Sequence, residues 1–416
     1  MKKIVQSILG FLILASMTQN GLVFSNTMDA FTDEKVVAFN EDAVCEVDGF
    51  SNNEINTQVN LQISAKSAYV TDERGRHVIY AKDELKRLPI ASMCKIMTLI
   101  LVFDAIDNGD LAYEEEVQIS ENAAGMGGSQ VFLEAHAKYR VNDLIKSIVV
   151  CSANDSCVAL AEKICGSEGI FTDRMNEKAK QIGADNTLFA NCTGLPKEPQ
   201  YSCAKDVSLM LKELISHKKY FEYGKIWMDK FQHPEGRYTE ISNTNRLVRY
   251  YDGCDGGKTG FTNQAGFCLA ATAKRGDMRV ISVVIGEETS NNRFSDVREM
   301  FDYAFANYTV QEILQANQVI EEKSVNVSGG KLSQIGVYPS RSGYVFGKRG
   351  EKKNITLDYE LYGVKAPCEK GEKVGQVTVY ENNVAIDTID LLTAEAVARA
   401  GFYDSLQKIA RQWNLK

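Results

Sequence analysis

The chain has 416 residues, 44% of them hydrophobic and 25% charged, which is enough apolar sequence for one large domain and one smaller one. Its 47 lysines and arginines and 55 aspartates and glutamates give a net charge of −8, and neither sign forms a long run. This balance argues against nucleic acid as a partner and favours an ordinary solvated surface.

The N-terminus has the pattern of an export signal. Lys2 and Lys3 precede an apolar stretch from Val5 to Met17, which is short for a membrane span. We predict a signal peptide over residues 1–30, with an uncleaved anchor as the alternative, and in both cases an exported protein. Residues 31–59 are polar and acidic with little periodicity, so we predict an extension of low order there.

The cysteines and histidines do not form metal-binding patterns. The ten cysteines lie in apolar contexts of a large chain and include no Cys-x-x-Cys, and the four histidines include no His-x-x-x-His. We expect most of the cysteines to be buried as small hydrophobic side chains, and we expect neither a metal site nor a cofactor.

The first predicted elements are two short strands, Ala68–Thr71 and His77–Tyr80, which flank a polar turn. They are followed by a stretch from Leu88 to Thr98 with a serine and a lysine three residues apart, where a helix is expected to begin after Pro89. The apolar run that continues this stretch predicts a helix buried on nearly all sides.

Ser92 and Lys95 are candidates for a nucleophile and its base. Side chains three positions apart share one face of a helix, so the Lys95 amine can reach the Ser92 hydroxyl and, when neutral, accept its proton. The helix N-terminus would also favour negative charge on a developing oxyanion. Ser-x-x-Lys alone is a weak signal, because the chain contains the pattern five times.

Two later motifs distinguish Ser92 from the other four serines. Ser152-Ala153-Asn154 falls in a turn between predicted helices, and Lys258-Thr259-Gly260 lies on or beside a strand that leads into a hairpin. A glycine-rich loop from Asn122 to Ser129 precedes the first of these motifs. It is either a plain surface loop or a place where the backbone approaches a ligand.

The remaining pattern predicts helices, a hairpin and then a change to short alternating strands. The predicted helices and hairpin strands are Val158–Ile164, Ser167–Ile182, Ser202–His217, Gly266–Ala273, Arg279–Ile285 and Ser295–Asn307. The short strands are Lys323–Val327, Ile335–Tyr338, Tyr344–Phe346, Asn354–Leu361, Lys373–Tyr380 and Val384–Asp390. Residues 309–392 are therefore predicted to form a small all-β domain.

The C-terminal segment, residues 393–416, is predicted to contain an amphipathic helix. Phe402, Leu406, Ile409 and Trp413 recur at spacings that place them on one helical face. Such a helix either docks on the protein's own β domain or lies in a membrane interface, and we expect the membrane interface because the segment is terminal and the protein is exported.

With these motifs in this order, the chain resembles the serine-type D-alanyl-D-alanine carboxypeptidases, the low-molecular-mass penicillin-binding proteins, particularly those of Gram-positive spore formers. The resemblance extends from about Ile63 to the C-terminus. It rests on the motifs Ser92-Met93-Cys94-Lys95, Ser152-Ala153-Asn154, Asn191-Cys192-Thr193-Gly194-Leu195 and Asp255-Gly256-Gly257-Lys258-Thr259-Gly260-Phe261-Thr262. It implies an α+β fold: a β-lactamase/transpeptidase-like catalytic domain over residues 60–308, with an antiparallel sheet and helices, followed by the small all-β domain.

The resemblance also implies an acyl-enzyme mechanism on the peptidoglycan pentapeptide stem. Ser92 would attack the carbonyl of the penultimate D-alanine, and Lys95 would be the base. Lys258, a second cation, would favour the neutral form of Lys95. Ser152 would relay the proton to the leaving amine, and Asn154 would hold Lys95 and the peptide amide.

The same resemblance assigns the substrate contacts. The backbone N–H groups of Ser92 and Phe261 would form the oxyanion hole, and Thr259 and Arg293 would hold the terminal carboxylate. Lys258 and Gly260 complete the expected substrate-binding strand. The implied partners are peptidoglycan stem peptides, β-lactam antibiotics as inhibitors, and a membrane surface that binds the C-terminal helix at the outer face of the cytoplasmic membrane or in the cell wall.

Two positions depart from the family pattern, and two other functions stay open. The middle motif is more often Ser-Gly-Asn, and Gly257 stands where leucine is usual. A β-lactamase shares the three motifs but needs a dedicated carboxylate for deacylation, and no Glu-x-x-x-Asn occurs between Ser152 and Lys258. A non-catalytic wall-binding or β-lactam-sensing protein on the same fold is the second alternative.

Overall fold

The computed structural model describes residues 61–404 and 406–407, together with the strand formed by residues 43–46. The predicted signal peptide, most of the 31–59 extension and the last residues of the C-terminal segment lie outside the described residues.

The first domain is built on a five-stranded antiparallel sheet with strand order β3-β2-β10-β9-β8. Its strands are β2 (Ser67–Asp72), β3 (Val78–Lys82), β8 (Cys254–Thr262), β9 (Gly266–Arg275) and β10 (Met278–Glu287). Two small two-stranded sheets lie outside it. One pairs β4 (Glu116–Gln118) with β5 (Lys138–Arg140), and the other pairs β6 (Met228–Gln232) with β7 (Tyr238–Ser242).

Helices cover both faces of this sheet. In chain order they are α1 (Lys95–Asp107), α2 (Glu121–Ala124), α3 (Val141–Cys151), α4 (Asn154–Cys165), α5 (Glu168–Gln181), α6 (Ala204–Ser216), α7 (Tyr220–Gly224), α8 (Leu247–Tyr250) and α9 (Ser290–Asn307). Short 3₁₀ turns occur at Ala91–Cys94 and Pro234–Gly236.

The sheet separates two hydrophobic cores, because successive strand residues point to opposite faces. In β10, Ile281 and Val283 face the core that contains α1, whereas Val280 and Val284 face the core that contains α9. Strands buried on both faces read as continuous apolar runs, and all ten residues of β10 are buried. Helix α1 lies deep in the first core, as its apolar sequence predicts.

The second domain is all-β. Its seven-stranded sheet has the order β1-β15-β17-β18-β13-β12-β16, and β11 pairs with β14 in a separate two-stranded sheet. The strands are β1 (Ala43–Glu46), β11 (Tyr308–Leu314), β12 (Ser324–Ser328), β13 (Gln334–Pro339), β14 (Gly343–Lys348), β15 (Asn354–Leu361), β16 (Val364–Lys365), β17 (Lys373–Glu381) and β18 (Val384–Thr393). The predicted fold class is present: an α+β domain with an antiparallel sheet, followed by a small all-β domain.

The structure differs from the sequence predictions at the edges of this second domain. Within the extension for which low order was predicted, β1 pairs antiparallel with β15. Strands β11 and β16 were not predicted. The packed region also continues past residue 392, because Val397 bridges Cys368 and the backbone N–H of Ala400 donates to Gly329 O at 2.8 Å.

Charged side chains join the two domains. Arg74 on the β2–β3 turn pairs with Asp387 on β18 at 2.9 Å. His77 lies 3.5 Å from the carboxylate of Glu381, which Lys353 also contacts. These contacts connect the β2–β3 hairpin to the second domain.

The chain leaves the second domain in a helical segment. Residues 402–404 and 406–407 are helical, and Phe402 and Tyr403 are 76% and 79% exposed. Ile409 and Trp413 lie outside the described residues. None of the described helices has the length and the apolar content needed to cross a membrane.

Candidate active site

Ser92 lies in the 3₁₀ turn that leads into α1, and Lys95 is the first residue of that helix. The Lys95 Nζ donates a hydrogen bond to the Ser92 Oγ at 3.0 Å. Lys95 is fully buried, whereas Ser92 is half-buried. The structure therefore places the two side chains at the distance that proton transfer requires, with the serine open to the surface.

The loop Asn191–Leu195 fixes the position of Lys95 from the other side. The Lys95 Nζ also donates to the backbone O of Thr193. Asn191 shapes this loop, because its Oδ1 accepts the N–H of Gly194 at 2.7 Å and its Nδ2 donates to Leu195 O at 2.8 Å. A Cβ on Gly194 would lie 2.1 Å from Ala91 O, so only glycine allows the loop to pack against the nucleophile turn.

Lys258 is the second lysine of the site. It lies on β8, is 2% exposed, and donates from Nζ to Thr259 O at 3.1 Å. Burial, followed by the charge of Lys95, lowers the pKa of Lys258 to about 7. The neutral form of Lys258 is therefore populated near neutral pH.

Ser152 and Asn154 occupy the junction between α3 and α4. Ser152 ends α3 in the left-handed region, with φ 65°, and its buried Oγ has no hydrogen-bond partner among the described residues. Asn154 Nδ2 donates to Gly127 O at 2.7 Å, whereas Asn154 Oδ1 is buried without a partner in that part of the chain. The glycine-rich loop therefore approaches Asn154 through its backbone.

Strand β8 packs directly on the nucleophile turn. A Cβ on Gly260 would lie 2.6 Å from Ile90 O and 3.3 Å from Met93 N, so a side chain there would separate the strand from the turn. Phe261 follows, 50% exposed and stacked on Phe267 with ring centroids 4.3 Å apart. Strand β8 and the nucleophile turn are therefore in contact at Gly260, the residue before Phe261.

The unusual glycine at position 257 has a structural reason. Its φ is +136°, and a Cβ would lie 2.3 Å from Ala270 O on the neighbouring strand. The hydroxyl of Tyr220 accepts the Gly257 N–H at 2.8 Å, and the same ring leaves no room for a Cβ on Gly256. Leucine at position 257 would therefore require a different path for β8.

Thr259 and Arg293 lie at the far end of the cleft. The Thr259 Oγ1 donates to the Thr244 Oγ1 at 2.8 Å, a contact that no sequence motif indicated. Arg293 is 9% exposed, and its Nη1 donates to Gly260 O at 3.3 Å. The prediction that Arg293 precedes a helix starting at Ser295 is wrong, because α9 begins at Ser290 and places Arg293 on its first turn.

The charge of Arg293 is held by backbone oxygens and aromatic rings. Its Nη1 reaches Cys268 O at 3.5 Å, and its guanidinium carbon lies 4.7 Å from the ring centre of Phe294. Its Nε has no hydrogen-bond partner among the described residues, and burial lowers its pKa to about 10. A buried cation with an unused donor is suited to a carboxylate supplied from outside.

Family comparison agrees with this geometry over most of the chain. A family model described as D-alanyl-D-alanine carboxypeptidase, peptidase family S11, matches residues 53–289. A second family model, described as penicillin-binding protein 5, C-terminal domain, matches residues 308–399. The chain belongs to the D-alanyl-D-alanine carboxypeptidase family.

Relatives of this family are similar over nearly their whole length. D-alanyl-D-alanine carboxypeptidase DacF of Bacillus subtilis is 36% identical over 355 residues, which cover 85% of this chain and 91% of that protein. DacC of Escherichia coli is 32% identical over 82% of this chain and 86% of its own. The Bacillus relative is consistent with the predicted Gram-positive type.

Solved structures show the same architecture. Penicillin binding protein 5 from Haemophilus influenzae has a TM-score of 0.62 at 28% identity and covers 82% of this chain and 99% of that chain. Penicillin-Binding Protein D2 from Listeria monocytogenes, in its ampicillin bound form, has a TM-score of 0.54 at 31% identity over 59% of this chain and 99% of that chain.

These findings confirm the recognition, the fold class and the activity class predicted from the sequence. The chain is a low-molecular-mass penicillin-binding protein, a serine-type D-alanyl-D-alanine carboxypeptidase, and hence an exported hydrolase that acts on peptidoglycan.

Proposed function

We propose that this carboxypeptidase removes the terminal D-alanine of the pentapeptide stem through an ester formed on Ser92. The observation that carries the assignment is the 3.0 Å contact between the Lys95 Nζ and the half-buried Ser92 Oγ. Lys95 is buried and shares its surroundings with a second buried lysine, Lys258. This environment disfavours two protonated amines together and thus supplies a base.

Acylation proceeds by proton transfer and attack at one carbonyl. A neutral Lys95 takes the proton of Ser92, whose Oγ bonds to the carbonyl carbon of the penultimate D-alanine. The C–N bond to the terminal D-alanine then breaks, and Ser152 passes the proton from Lys95 to the departing nitrogen. Water later hydrolyses the ester on Ser92 and restores the free enzyme.

The unsatisfied polar atoms of the cleft support this path. The Ser152 Oγ is buried without a partner in the described chain and is free to receive and pass on a proton. Asn154 is tethered to the glycine-rich loop through its Nδ2, which leaves its Oδ1 for Lys95 or the substrate amide. Backbone N–H groups of Ser92 and Phe261 stabilise the oxyanion, each by roughly 3–4 kcal/mol.

The substrate carboxylate binds at the end of β8. Thr259 donates its hydroxyl hydrogen to the carboxylate in place of Thr244 Oγ1, and Arg293 supplies the positive charge from the first turn of α9. Lys258 and Gly260 line the same strand. Since Arg293 contacts only backbone oxygens, one serine hydroxyl and aromatic rings in the described structure, a carboxylate fits the unmet charge.

The test is the release of D-alanine from a pentapeptide by two serine variants. Ser92→Ala is expected to abolish release, because the ester then has no oxygen. Ser328→Ala is the matched control, since Ser328 also begins a Ser-x-x-Lys sequence but lies exposed on β12 of the second domain. Release that persists in Ser92→Ala, or that disappears in Ser328→Ala, contradicts the assignment.

We further propose that β-lactams acylate the same serine. A β-lactam presents a carbonyl and a carboxylate to the same two groups of the cleft, and the Listeria relative at 31% identity is described in ampicillin bound and cefotaxime bound forms. The β-lactamase alternative needs a carboxylate and water for rapid deacylation. The sequence between Ser152 and Lys258 lacks the Glu-x-x-x-Asn pattern of that carboxylate.

We propose a catalytic domain over residues 60–308 and a β domain from residue 309. We also propose that the C-terminal segment forms a helix on the membrane surface, at the outer face of the cytoplasmic membrane. The high exposure of Phe402, Tyr403 and Leu406 supports binding to an apolar interface. A truncation after Gly401 tests this without removing the pairing of Val397 and Ala400. Retention of the truncated protein on membranes would exclude this helix as the anchor and favour the N-terminal apolar stretch.

A further inference from the structure

Two buried carboxyl groups lie behind the helix turn that carries Arg293. Glu287 is the last residue of β10, and Asp296 lies on α9, three positions after Arg293. Glu287 is 1% exposed and Asp296 is 6% exposed. Neither forms an ion pair with a basic side chain in the part of the chain that the structure describes, although the charge of Lys82 acts on Glu287.

The contacts of Ser64 bring both carboxyl groups to one hydroxyl. The Ser64 Oγ lies 2.7 Å from Glu287 Oε2 and 3.1 Å from Asp296 Oδ2. A hydroxyl has a single hydrogen for these two oxygens. The arrangement therefore favours a proton on one of the two carboxyl groups over two ionised carboxylates around the same hydroxyl.

The proton belongs on Glu287. Asp296 Oδ2 accepts the backbone N–H of Ser64 at 2.6 Å and that of Ala65 at 3.4 Å, and these donors stabilise its ionised form. Glu287 has no such donor, and its Oε1 is buried without a partner among the described residues. Burial and the hydrogen bond to Asp296 raise the pKa of Glu287 to about 8.

Among the described residues, no neighbouring cation neutralises the negative charge that would appear on the pair if that proton were lost. The other ionisable side chains near the pair are those of Lys66, Tyr80, Lys82, Cys268 and Glu299. Lys82 is the nearest source of positive charge for Glu287, but its Nζ is used by Ile63 O at 2.6 Å. Loss of the proton therefore leaves two like charges in contact in a buried site.

Strand pairing, a ring contact and backbone hydrogen bonds link this pair to the helix turn of Arg293. Glu287 pairs with Phe267 on β9, and the Arg293 guanidinium lies 5.4 Å from the centre of the Phe267 ring. Asp296 connects the first turns of α9 to the backbone of Ser64 through hydrogen bonds.

We propose that the proton shared by Glu287 and Asp296 positions Arg293, and that its loss at alkaline pH weakens binding of the substrate carboxylate. This inference rests on the carboxylate-binding role proposed above for Arg293.

The test measures peptide binding in the full-length Ser92→Ala protein, so that no chemistry interferes. Two probes are used: a peptide that ends in D-Ala-D-Ala with a free carboxylate, and the same peptide with a C-terminal amide. The dissociation constant of the free-carboxylate peptide is expected to rise by up to about tenfold between pH 7 and pH 9, since affinity scales with the protonated fraction. The amide peptide is expected to show no such rise.

Glu287→Gln provides the decisive variant, because its amide stays neutral at every pH. Its affinity for the free-carboxylate peptide is expected to fall clearly less than that of the parent from pH 7 to pH 9, and the remaining fall is that of Lys258 losing its charge. Glu299→Gln, an exposed position on the same helix, is the matched control and is expected to retain the alkaline loss. An alkaline loss in Glu287→Gln equal to that of the parent, or no loss in the parent, overturns the inference.

Arg293→Ala separates this inference from the function on which it rests. If the free-carboxylate peptide binds Arg293→Ala as tightly as the parent at pH 7, the role of Arg293 fails, and the inference fails with it. If Arg293→Ala loses affinity while Glu287→Gln retains the alkaline loss, only the inference fails.

The pH dependence of stability supplies a readout without peptide. The parent is expected to lose stability relative to Glu287→Gln as pH rises towards 8, because the folded state holds the proton more tightly than the unfolded state does.

Discussion

The active-site cleft and the interface between the two domains both shift pKa values strongly, but in opposite ways. In the cleft, burial lowers the pKa of Lys258 to about 7, and among the described residues its amine donates to a backbone oxygen. At the interface, the carboxylates of Asp72 and Glu381, 3.8 and 3.5 Å from the ring nitrogens of His77, raise the pKa of His77 to about 9. Glu381, contacted by His77 and Lys353, has its pKa lowered to about 2.

The two regions differ in the charged groups that neighbour their ionisable side chains. Interface groups are shifted toward their charged forms because opposite charges satisfy them, which is the behaviour of a structural ion-pair network. Cleft groups are shifted toward the neutral form or are left with unused atoms, as at Ser152 Oγ, Asn154 Oδ1 and Arg293 Nε. The lowered pKa of Lys258 therefore results from burial, whereas the raised pKa of His77 results from neighbouring carboxylates.

The largest expected effect comes from the cleft lysine on β8. Lys258→Ala is expected to slow acylation of every substrate by about 10²–10⁴-fold, because Lys95 then loses the second cation that favours its neutral, basic form. The rates of D-alanine release and of penicillin labelling measure it. Lys274→Ala, an exposed lysine on β9, is the control, and equal rates in the two variants would contradict the role of Lys258.

The next effect tests the loop that holds Lys95. Gly194→Ala introduces a Cβ within 2.1 Å of Ala91 O at a φ of +79°. We expect a loss of about 2–4 kcal/mol in the free energy of unfolding, from overpacking and backbone strain together, and a parallel loss of activity. Gly166→Ala has a similar φ, +76°, with open space around the added methyl, and is expected to cost only about 1 kcal/mol.

A smaller effect is expected from removing Arg293, whose charge has no ion-pair partner among the described residues. Arg293→Ala should lower kcat/KM for a peptide with a free terminal carboxylate by about 10–100-fold, since it removes one charged partner. The same peptide as a C-terminal ester should lose far less. Equal losses on the acid and the ester would refute carboxylate binding by Arg293.

The smallest effect belongs to the interface. The pKa of His77 is raised in the folded state, so its stabilising contribution is complete below about pH 6.5 and is lost as pH rises through about 9. Because the His77 side chain is 29% exposed, solvent screening reduces the expected cost of His77→Gln to about 1–2 kcal/mol at pH 6, and close to none at pH 10.

Denaturant unfolding at both pH values measures this cost. His136→Gln is the matched control, since His136 faces Glu121 with 68% and 83% of the two side chains exposed, and it is expected to have little effect at either pH. A loss for His77→Gln that is the same at pH 6 and pH 10 would contradict the ion-pair account.

The sequence predicts those parts of the site that depend on local spacing. Ser92 and Lys95 meet because they are three positions apart, and β9 and β10 read as strands because their apolar runs are continuous. The start of α9 was missed because Ser290-Asn291-Asn292 looks like a polar loop. In the structure the Thr289 side chain accepts the Asn292 N–H at 3.1 Å and caps the helix there.

Contacts between distant segments have no local signature. Thr244 reaches Thr259, and Ser64 reaches Glu287 and Asp296, only after the sheet and α9 are assembled. Likewise, Gly257 departs from the family pattern in the sequence, and the reason is the close passage of Ala270 O on the neighbouring strand. Register and packing, which spacing does not encode, decide these positions.

The most direct test of the central claim is the mass of the intact protein after a short exposure to penicillin, followed by mapping of the modified peptide. We predict one adduct with the full mass of the antibiotic, located on Ser92, stable over the measurement and missing from Ser92→Ala. An adduct on another serine, or labelling that survives Ser92→Ala, would contradict Ser92 as the nucleophile. An adduct that disappears within seconds with hydrolysed penicillin in solution would instead favour a β-lactamase.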